Sequence, residues 1–405
     1  LRRTHRSGAR PAPGHAEHRG LTMVDVANRM RGLQESSITA MTVRCQELGA
    51  INLAQGLCQV PPPPSLLAEG ARDFRDIDHS YSAPEGFAVF REAVADKLKK
   101  YSGLSVEPAT QIVATVGATG ALMATLTALL NPGDGVLLFE PFYGNYPTAL
   151  GVLDLRAEPV RLFGPGFEVT EEALRSAVTD RTRAMIVCTP NNPSGRRLTM
   201  AELMAISAVA EEHDLLVITD EVYEDIYFGP APHIAPATVG DLGRRTVTVS
   251  SLGKSFSVPG WRLGYACGPE GLMDAIRVAA ESLVVCPPAP LQELGARALR
   301  LGDNYYRGLR AMYDRKRRAL TEGFVAAGLS PNEPDGSYYL FVECSPLGVT
   351  TGAEATEILL QRSLVGTVPG ETFYLHSPDL PYIRACFSLP DEVIADAAGR
   401  LARGV

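Results

Sequence analysis

Residues 250–264 of the chain read SSLGKSFSVPGWRLG and lie between two apolar runs that are typical of buried strands. Lys254 follows Ser251 by three residues and precedes Arg262 by eight. A lysine amine can form a Schiff base with an aldehyde, while a hydroxyl and a forked guanidinium suit the phosphate of a cofactor that carries one. A lysine in a small-residue loop is often merely solvated, but Ser251 and Arg262 at these offsets favour the chemical interpretation.

An acidic residue directly follows the strand-like run 215–219, which reads LLVIT. Asp220 therefore stands at the carboxyl end of a buried strand, where open α/β sheets bind ligands, and Tyr223 comes three residues later. An earlier strand-like run leads into the loop 189–195, TPNNPSG, which contains Asn192. Asp220 could instead cap the next turn, and the loop alone is an ordinary turn. The loop precedes Asp220 by about 25 to 30 residues, which is typical of βαβ units.

A turn of small residues opens another helix-like run. Residues 111–116 read QIVATV, the turn 117–120 reads GATG, and a helical pattern covers 121–130. Such a turn presents free backbone N–H groups and the positive end of the helix dipole to an anion. A plain tight turn between strand and helix explains the segment equally well when it is taken alone.

In this order, the segments resemble the class I/II aminotransferases of fold type I, over about residues 31–388. The resemblance implies a pyridoxal 5′-phosphate cofactor joined to Lys254, with Asp220 keeping the ring nitrogen protonated so that the ring accepts electrons. It also implies that Asn192 and Tyr223 bond the phenolic oxygen of the ring and that Tyr143 stacks on the ring. The phosphate is assigned to Ala118, Thr119, Ser251 and Arg262. The nearby Tyr146 is interpreted as ordinary packing.

The resemblance also indicates where the substrate and a second subunit bind. Arg384 interrupts the apolar run 382–388, and a buried guanidinium needs an anion. The equivalent family arginine grips the α-carboxylate of the substrate, and Gly56 and Asn192 are the other implied substrate contacts. Tyr81 matches a tyrosine that reaches the phosphate held by the neighbouring subunit, which implies a homodimer with shared active sites.

Residues 52–64 depart from the family pattern. They read NLAQGLCQVPPPP where many relatives have Asn-Leu-Gly-x-Gly-x-Pro-Asp, so the resemblance leaves the substrate side chain open. No second arginine can be assigned to a distal carboxylate, although the candidates are Arg29, Arg31 and Arg44. A mainly apolar pocket is predicted from Tyr143, Phe373, Cys58 and Val60.

Length and composition fit this picture. The chain has 405 residues, of which 45% are hydrophobic and 21% charged, enough for one large core and a smaller second core. Strand-like and helix-like runs alternate between residues 111 and 267, which predicts an α/β fold with a mostly parallel seven-stranded sheet flanked by helices. A long helical pattern at 291–327 should lead into a smaller, discontinuous α+β domain. The predicted divisions are a disordered basic extension (1–22), an N-terminal arm with part of the small domain (23–62), the large cofactor-binding domain (63–295) and the C-terminal small domain (296–405).

Charge, apolar content and cysteine content argue against nucleic-acid-binding, secreted and membrane-spanning proteins. Residues 1–22 carry five arginines and one glutamate, a net +4, whereas the whole chain has a net charge of −8, so the remaining residues carry −12. An acidic body disfavours nucleic-acid binding. The first residues lack the apolar stretch of a secretory signal, and no run is long enough to span a bilayer. Seven cysteines without a C-x-x-C pair indicate reduced thiols in a cytoplasmic protein, and the histidines show no metal-ligand spacing.

The predicted activity is transfer of an amino group from an amino acid to a 2-oxo acid in two half-reactions, with Lys254 moving the proton between Cα and C4′. Two alternatives remain. A transcription factor with an aminotransferase-like sensor domain would need a DNA-binding domain, for which 22 residues are too few. An enzyme of elimination, replacement or cyclisation would share Lys254, Asp220 and Arg384, and the sequence separates it poorly from an aminotransferase.

Overall fold

The structure is a computed structural model that describes residues 26–31, 37–73, 76–77, 79–376 and 380–404. The predicted extension at residues 1–22 lies outside them. The strands are β1 (Ile51–Asn52), β2 (Ile112–Thr115), β3 (Gly135–Glu140), β4 (Arg156–Arg161), β5 (Thr182–Cys188), β6 (Leu216–Asp220), β7 (Thr246–Ser251), β8 (Gly264–Cys267), β9 (Ser330–Pro331), β10 (Tyr339–Glu343), β11 (Val365–Gly366), β12 (Val368–Pro369) and β13 (Tyr382–Cys386). The α-helices are α1 (Ser37–Leu48), α2 (Pro64–Asp73), α3 (Ala88–Lys97), α4 (Gly117–Leu129), α5 (Tyr146–Val152), α6 (Glu171–Ala177), α7 (Met200–Glu212), α8 (Leu252–Ser255), α9 (Glu270–Val284), α10 (Ala289–Leu299), α11 (Asp303–Ala326), α12 (Gly352–Ser363) and α13 (Asp391–Gly404).

Seven strands of the described chain form one sheet in the order β2-β8-β7-β6-β5-β3-β4. Strand β8 is antiparallel to both of its neighbours, and the other pairs are parallel. The predicted α/β class, with its mostly parallel sheet, is therefore confirmed. Every residue of β2, β3 and β8 is buried, as expected for strands covered on both faces. The edge strand β4 is partly exposed and contains Pro159, which an edge tolerates because one side of the strand is unpaired.

Helices cover both faces of this sheet. Alternate residues of β3 belong to two separate apolar cores, because successive side chains of a strand point to opposite faces. Leu137 packs in the core that α6 and α7 cover, while Leu138 packs in the core that α4 and α9 cover. Both faces of the sheet are therefore covered by apolar side chains, so we expect polar reacting groups at the ends of the strands.

A second, smaller set of strands is built from both ends of the chain. Strands β12, β13, β10 and β9 form a sheet whose pairs are antiparallel, and β1 pairs with β11 in parallel, with Ile51 opposite Val365. The segment before residue 62 thus returns to the C-terminal part, as predicted for a discontinuous small domain.

The helical pattern predicted at 291–327 is divided between two helices. Helix α10 ends at Leu299 and α11 begins at Asp303, with Gly302 in an extended conformation before it. Gly302 favours the break because glycine is a poor helix former. The helical spacing of apolar residues continues on both sides of Gly302, so the sequence pattern does not reveal the break. The boundary predicted between residues 295 and 296 falls inside α10, and the division of the chain into domains stays a prediction.

Three observations bear on the composition. All seven cysteines are free thiols. Among the described residues, no group of three or more histidines, cysteines and acids is placed to hold a metal ion. Of the described helices, none combines the length and the apolar character needed to cross a membrane.

Candidate active site

The parallel strands β2, β3, β5, β6 and β7 end at the same edge of the sheet, where ligands bind in open α/β folds. A cavity of about 570 Å³ opens at this edge. It is lined by the residues predicted to act in catalysis or to bind the cofactor and the α-carboxylate, apart from Tyr81: Gly56, Ala118, Thr119, Tyr143, Asn192, Asp220, Tyr223, Ser251, Lys254, Arg262 and Arg384. Residues far apart in the chain therefore share one cavity.

One end of the cavity combines a helix N-terminus with a guanidinium. Helix α4 begins at Gly117, whose φ of +68° is in the left-handed region. A Cβ at Gly117 would lie 2.7 Å from Nη2 of Arg262, so only glycine lets the guanidinium approach the turn this closely. Arg262 is itself anchored, because its Nη1 donates to the Pro259 carbonyl at 3.0 Å. With the first turn of α4 and Ser251 on the same wall, the arrangement fits a phosphate.

A buried carboxylate lies deeper in the cavity. Asp220 is the last residue of β6, and its Oδ2 accepts a hydrogen bond from the Tyr146 hydroxyl at 2.7 Å. Burial raises the pKa of Asp220, and the bond from Tyr146 opposes that rise. The interpretation of Tyr146 as mere packing is therefore incomplete. Its position three residues after Tyr143, beyond the end of β3, was the signal that it faces the same edge.

Lys254 lies on the four-residue helix α8, directly after β7. Its Nζ is 3.5 Å from the carbonyl oxygen of Gly56, which also accepts a hydrogen bond from the Tyr338 hydroxyl at 3.0 Å. Burial lowers the pKa of Lys254, although Cys58 and other groups that include Asp220 partly oppose this. A lowered pKa leaves more of the amine neutral and nucleophilic near neutral pH.

Tyr223 and Asn192 provide hydrogen-bond donors on the wall of the cavity. The hydroxyls of Tyr223 and Tyr339 are 3.2 Å apart. Burial holds the pKa of Tyr223 well above its usual value, so its hydroxyl keeps a proton to donate. Asn192 uses Oδ1 to accept from Nη1 of Arg384 at 2.9 Å, and its amide nitrogen retains donors for another partner.

Arg384 on β13 is only 1% exposed. Its Nη2 donates to the Ala54 carbonyl at 2.7 Å, and the guanidinium lies 4.5 Å from the ring of Tyr339 and 4.9 Å from that of Phe373. Within the described residues it has no carboxylate partner, and its buried Nε makes no hydrogen bond. A buried guanidinium without a counterion is costly, so this side chain is prepared to bind an anion.

The prediction of the pocket wall from the sequence is partly wrong. Cys58 and Val60 belong to the buried core, and Cys58 Sγ lies 3.1 Å from the Tyr313 hydroxyl. Phe373 is fully buried beneath Arg384. The prediction that these three side chains line the pocket is wrong, and the cavity is instead walled by Ile38, Gln55 and Leu57. At Gly56 a Cβ would overlap the Tyr339 hydroxyl, so a side chain there has no room.

Tyr81 lies outside this cavity and is 79% exposed. A single chain therefore does not bring it to Lys254. Its assignment to the site of a neighbouring subunit stays a prediction.

Known proteins share this architecture over nearly the whole chain. Residues 49–401 match the family Aminotransferase class I and II. The aspartate/prephenate aminotransferase of Thermus thermophilus is 30% identical over 393 residues, which cover 94% of this chain and 99% of that protein. The structure of N-succinyldiaminopimelate aminotransferase from Mycobacterium tuberculosis is similar with a TM-score of 0.89 at 33% identity, covering 93% of this chain and 99% of the other. A methionine aminotransferase from Escherichia coli gives a TM-score of 0.90 at 30% identity, with coverages of 94% and 100%.

The chain therefore belongs to the class I and II aminotransferases. It is an enzyme, and the cofactor of this family is pyridoxal 5′-phosphate. The cavity fits that group, because the close approach of Gly117 and Arg262 suits a phosphate and the amine of Lys254 suits an aldehyde. Asp220 offers a buried carboxylate of the kind that pairs with a protonated ring nitrogen.

Proposed function

We propose that this aminotransferase takes the amino group of a neutral amino acid, with an apolar, aromatic or sulfur-containing side chain, and passes it to a 2-oxo acid in two half-reactions. The cations of the cavity support this proposal. Among the described residues of the cavity wall they are Lys254, Arg262 and Arg384. We assign these to the cofactor aldehyde, the phosphate and the substrate α-carboxylate, which leaves no cation among the described residues of the cavity wall for a distal carboxylate.

The other candidate arginines do not supply one. Arg44 forms a two-pronged ion pair with Glu357, with N–O distances of 2.6 and 2.9 Å, and neither Arg29 nor Arg31 lines the cavity. The wall beside Gly56 is formed by Ile38, Gln55 and Leu57, which are all uncharged. An acidic substrate side chain would therefore lose its water without gaining an ionic partner from the described cavity wall.

Each residue has a defined task in the proposed reaction. When bound, pyridoxal 5′-phosphate supplies an aldehyde carbon that takes up the amino nitrogen and a ring that accepts the electron pair left at the substrate Cα. Arg384 holds the α-carboxylate, which orients the Cα–H bond towards Lys254. The Lys254 amine then removes that proton, as a general base within reach of it. Asp220 keeps the proton on the ring nitrogen, and Asn192 and Tyr223 donate to the ring oxygen.

We also propose a homodimer in which Tyr81 serves the partner's site. Tyr81 is exposed, and the C-terminal end of α9 exposes a further apolar run, with Leu283, Val284 and Val285 each about half accessible. Contiguous exposed apolar residues commonly mark a protein interface.

The deciding experiment supplies an amino acid without an oxo acid. An aminotransferase stops after one half-reaction, so the visible absorption band of the bound cofactor is lost in proportion to enzyme and returns when a 2-oxo acid is added. We expect this with methionine, leucine or phenylalanine and only weakly with aspartate or glutamate. Continuous product release from an amino acid with a leaving group, without loss of the band, would instead identify an elimination enzyme of the same fold.

A further inference from the structure

A cluster of three charged side chains is buried behind the helix that carries Lys254. Nζ of Lys97, at the end of α3, lies 2.6 Å from Oε1 of Glu224 and 3.1 Å from Oδ2 of Asp225. The three side chains are only 3% to 7% exposed. Two carboxylates thus share a single ammonium group away from water.

Such a cluster is an expensive way to stabilise a fold. Burial raises the pKa of Asp225. Burial alone would lower the pKa of Lys97, but Asp225 and Glu224 outweigh it and hold that pKa well above its usual value. Because the desolvation of buried charges can cancel their attraction, an apolar trio would serve packing as well. The contacts of the carboxylates therefore deserve a functional explanation.

One carboxylate holds the residue next to Lys254. Asp225 Oδ2 accepts a hydrogen bond from the Ser255 hydroxyl at 2.6 Å, and the Ser255 carbonyl accepts one from the Tyr305 hydroxyl at 2.5 Å. Tyr305 in turn stacks on Phe256 with 5.5 Å between ring centroids and 13° between planes. A helix of four residues cannot hold its own conformation, so these contacts fix α8.

The same cluster also holds the turn after Asp220. Glu224 and Asp225 directly follow Tyr223 in the chain. Oε1 of Glu224 accepts hydrogen bonds from the hydroxyl groups of Ser250 and Tyr265, each at 3.2 Å. One buried unit is therefore bonded on one side to the turn that follows Asp220 and on the other to the segment that leads into Lys254.

We propose that the cluster of Lys97, Glu224 and Asp225 acts, through Ser255, as a positioning device that sets where the Lys254 amine stands relative to Asp220. The proposal rests on the proposed function, in which both side chains act on the same cofactor. The three charged residues and Ser255 are positioning residues, because none of them lines the cavity. A loosened α8 would move the amine away from the proton it must take, and small misplacements of a catalytic group reduce rate steeply.

The test uses the cofactor-loaded enzyme and substitutions that leave the three charges in place. Ser255→Ala removes the bond to Asp225, and Tyr305→Phe removes the bond to the Ser255 carbonyl. Tyr265→Phe is the matched control, since it also removes one tyrosine hydroxyl, but this hydroxyl bonds Glu224 and not Asp225 or Ser255. For Ser255→Ala and Tyr305→Phe we expect kcat to fall roughly two- to tenfold with little change in KM. We also expect the pH midpoint of the visible absorption band to move by about half a pH unit.

The Tyr265→Phe control should unfold at a lower temperature than the parent enzyme. It should keep the kcat of the parent and the same pH midpoint of the visible absorption band. If all three variants lose only thermal stability and retain kcat and the midpoint, the cluster merely supports the fold and the proposal is overturned. Failure of the proposed function gives a different result, because the parent enzyme itself would then release product continuously without an oxo acid and without loss of the absorption band, whatever the three variants do.

Discussion

The hydroxyl of Tyr146 donates a hydrogen bond to Oδ2 of Asp220 over 2.7 Å, and both side chains are buried. Burial raises the pKa of this carboxyl group, and the Tyr146 bond acts in the opposite direction. The tyrosine therefore helps to keep Asp220 ionised in a place where water cannot.

Replacing Tyr146 by phenylalanine should move the acid limb of the pH profile of kcat/KM to higher pH. Without the bond the pKa of Asp220 rises further, so a higher pH is needed to ionise it, and kcat at neutral pH should fall roughly two- to tenfold. Rates measured across a pH series test this. Tyr374→Phe is the control, because the buried Tyr374 hydroxyl makes no hydrogen bond within the described part of the chain. An acid limb that stays in place for Tyr146→Phe would contradict the argument.

Lys254→Ala should abolish turnover while leaving the phosphate contacts in place. Loss of a proton-transfer group lowers the rate by about 10²- to 10⁴-fold. Treatment of the parent enzyme with borohydride should fix the cofactor to Lys254, which peptide mass analysis would locate. Full activity of the variant, or attachment at another lysine, would refute the assignment.

The stability of the cofactor-free protein should depend on Lys254 in a defined direction. Burial holds the pKa of this amine below the ordinary 10.5, so between the two values the unfolded chain binds more protons and the stability of the folded parent rises with pH. Lys254→Met lacks this rise. Its melting temperature should exceed that of the parent at pH 7, and the difference should shrink towards pH 10.5. A difference independent of pH would show that the amine titrates normally.

Arg384→Lys should reduce kcat/KM for every amino donor by a similar factor. An ammonium group cannot reproduce the two-pronged bond to a carboxylate, and charged hydrogen bonds are worth about 1.5–3 kcal/mol, or roughly 10- to 100-fold. Arg44→Lys is the matched control, since its partner is Glu357, and it should leave the kinetics unchanged. A selective loss of aspartate activity in Arg44→Lys would instead identify the missing distal cation.

Subunit mixing tests the shared site. Lys254→Ala and Tyr81→Ala should each be impaired alone, but exchange of their subunits creates dimers in which one site has both residues intact. Some activity should then return. Tyr81→Phe should weaken cofactor retention by about 0.5–1.5 kcal/mol, as for one hydrogen bond. Lack of recovery in a protein that sediments as a monomer would reject the dimer proposal.

The meeting of the predicted residues in one cavity was accessible from the sequence. Asn192, Asp220 and Ser251 each stand at or just after the end of a strand-like run, and parallel strands bring such ends to one edge. The sheet followed from the same alternation of strands and helices. No neighbouring subunit tests Tyr81, so its role stays a prediction.

The features of the site that could not be predicted depend on contacts between residues far apart in the chain, which no local sequence pattern encodes. Tyr146 and Asp220 are 74 positions apart, and Lys97 looks like a solvated helix residue until its partner Glu224, 127 positions later, is known. Between residues 53 and 60 the chain has no regular period. The sequence therefore could not tell that Gln55 and Leu57 face the cavity while Cys58 turns into the core.

The late position of Arg384 in the chain, far from the Ala54 and Asn192 to which it is bonded, has a consequence for the order in which a growing chain acquires the residues of its site. The residues proposed to hold the cofactor within one chain end at Arg262, whereas the arginine proposed to select the substrate comes 122 positions later. A chain growing on the ribosome thus completes its cofactor-binding residues long before it can grip an amino acid. On these assignments, a chain that ends before β13 has every residue proposed to hold the cofactor within one subunit but lacks the residue proposed to hold the substrate.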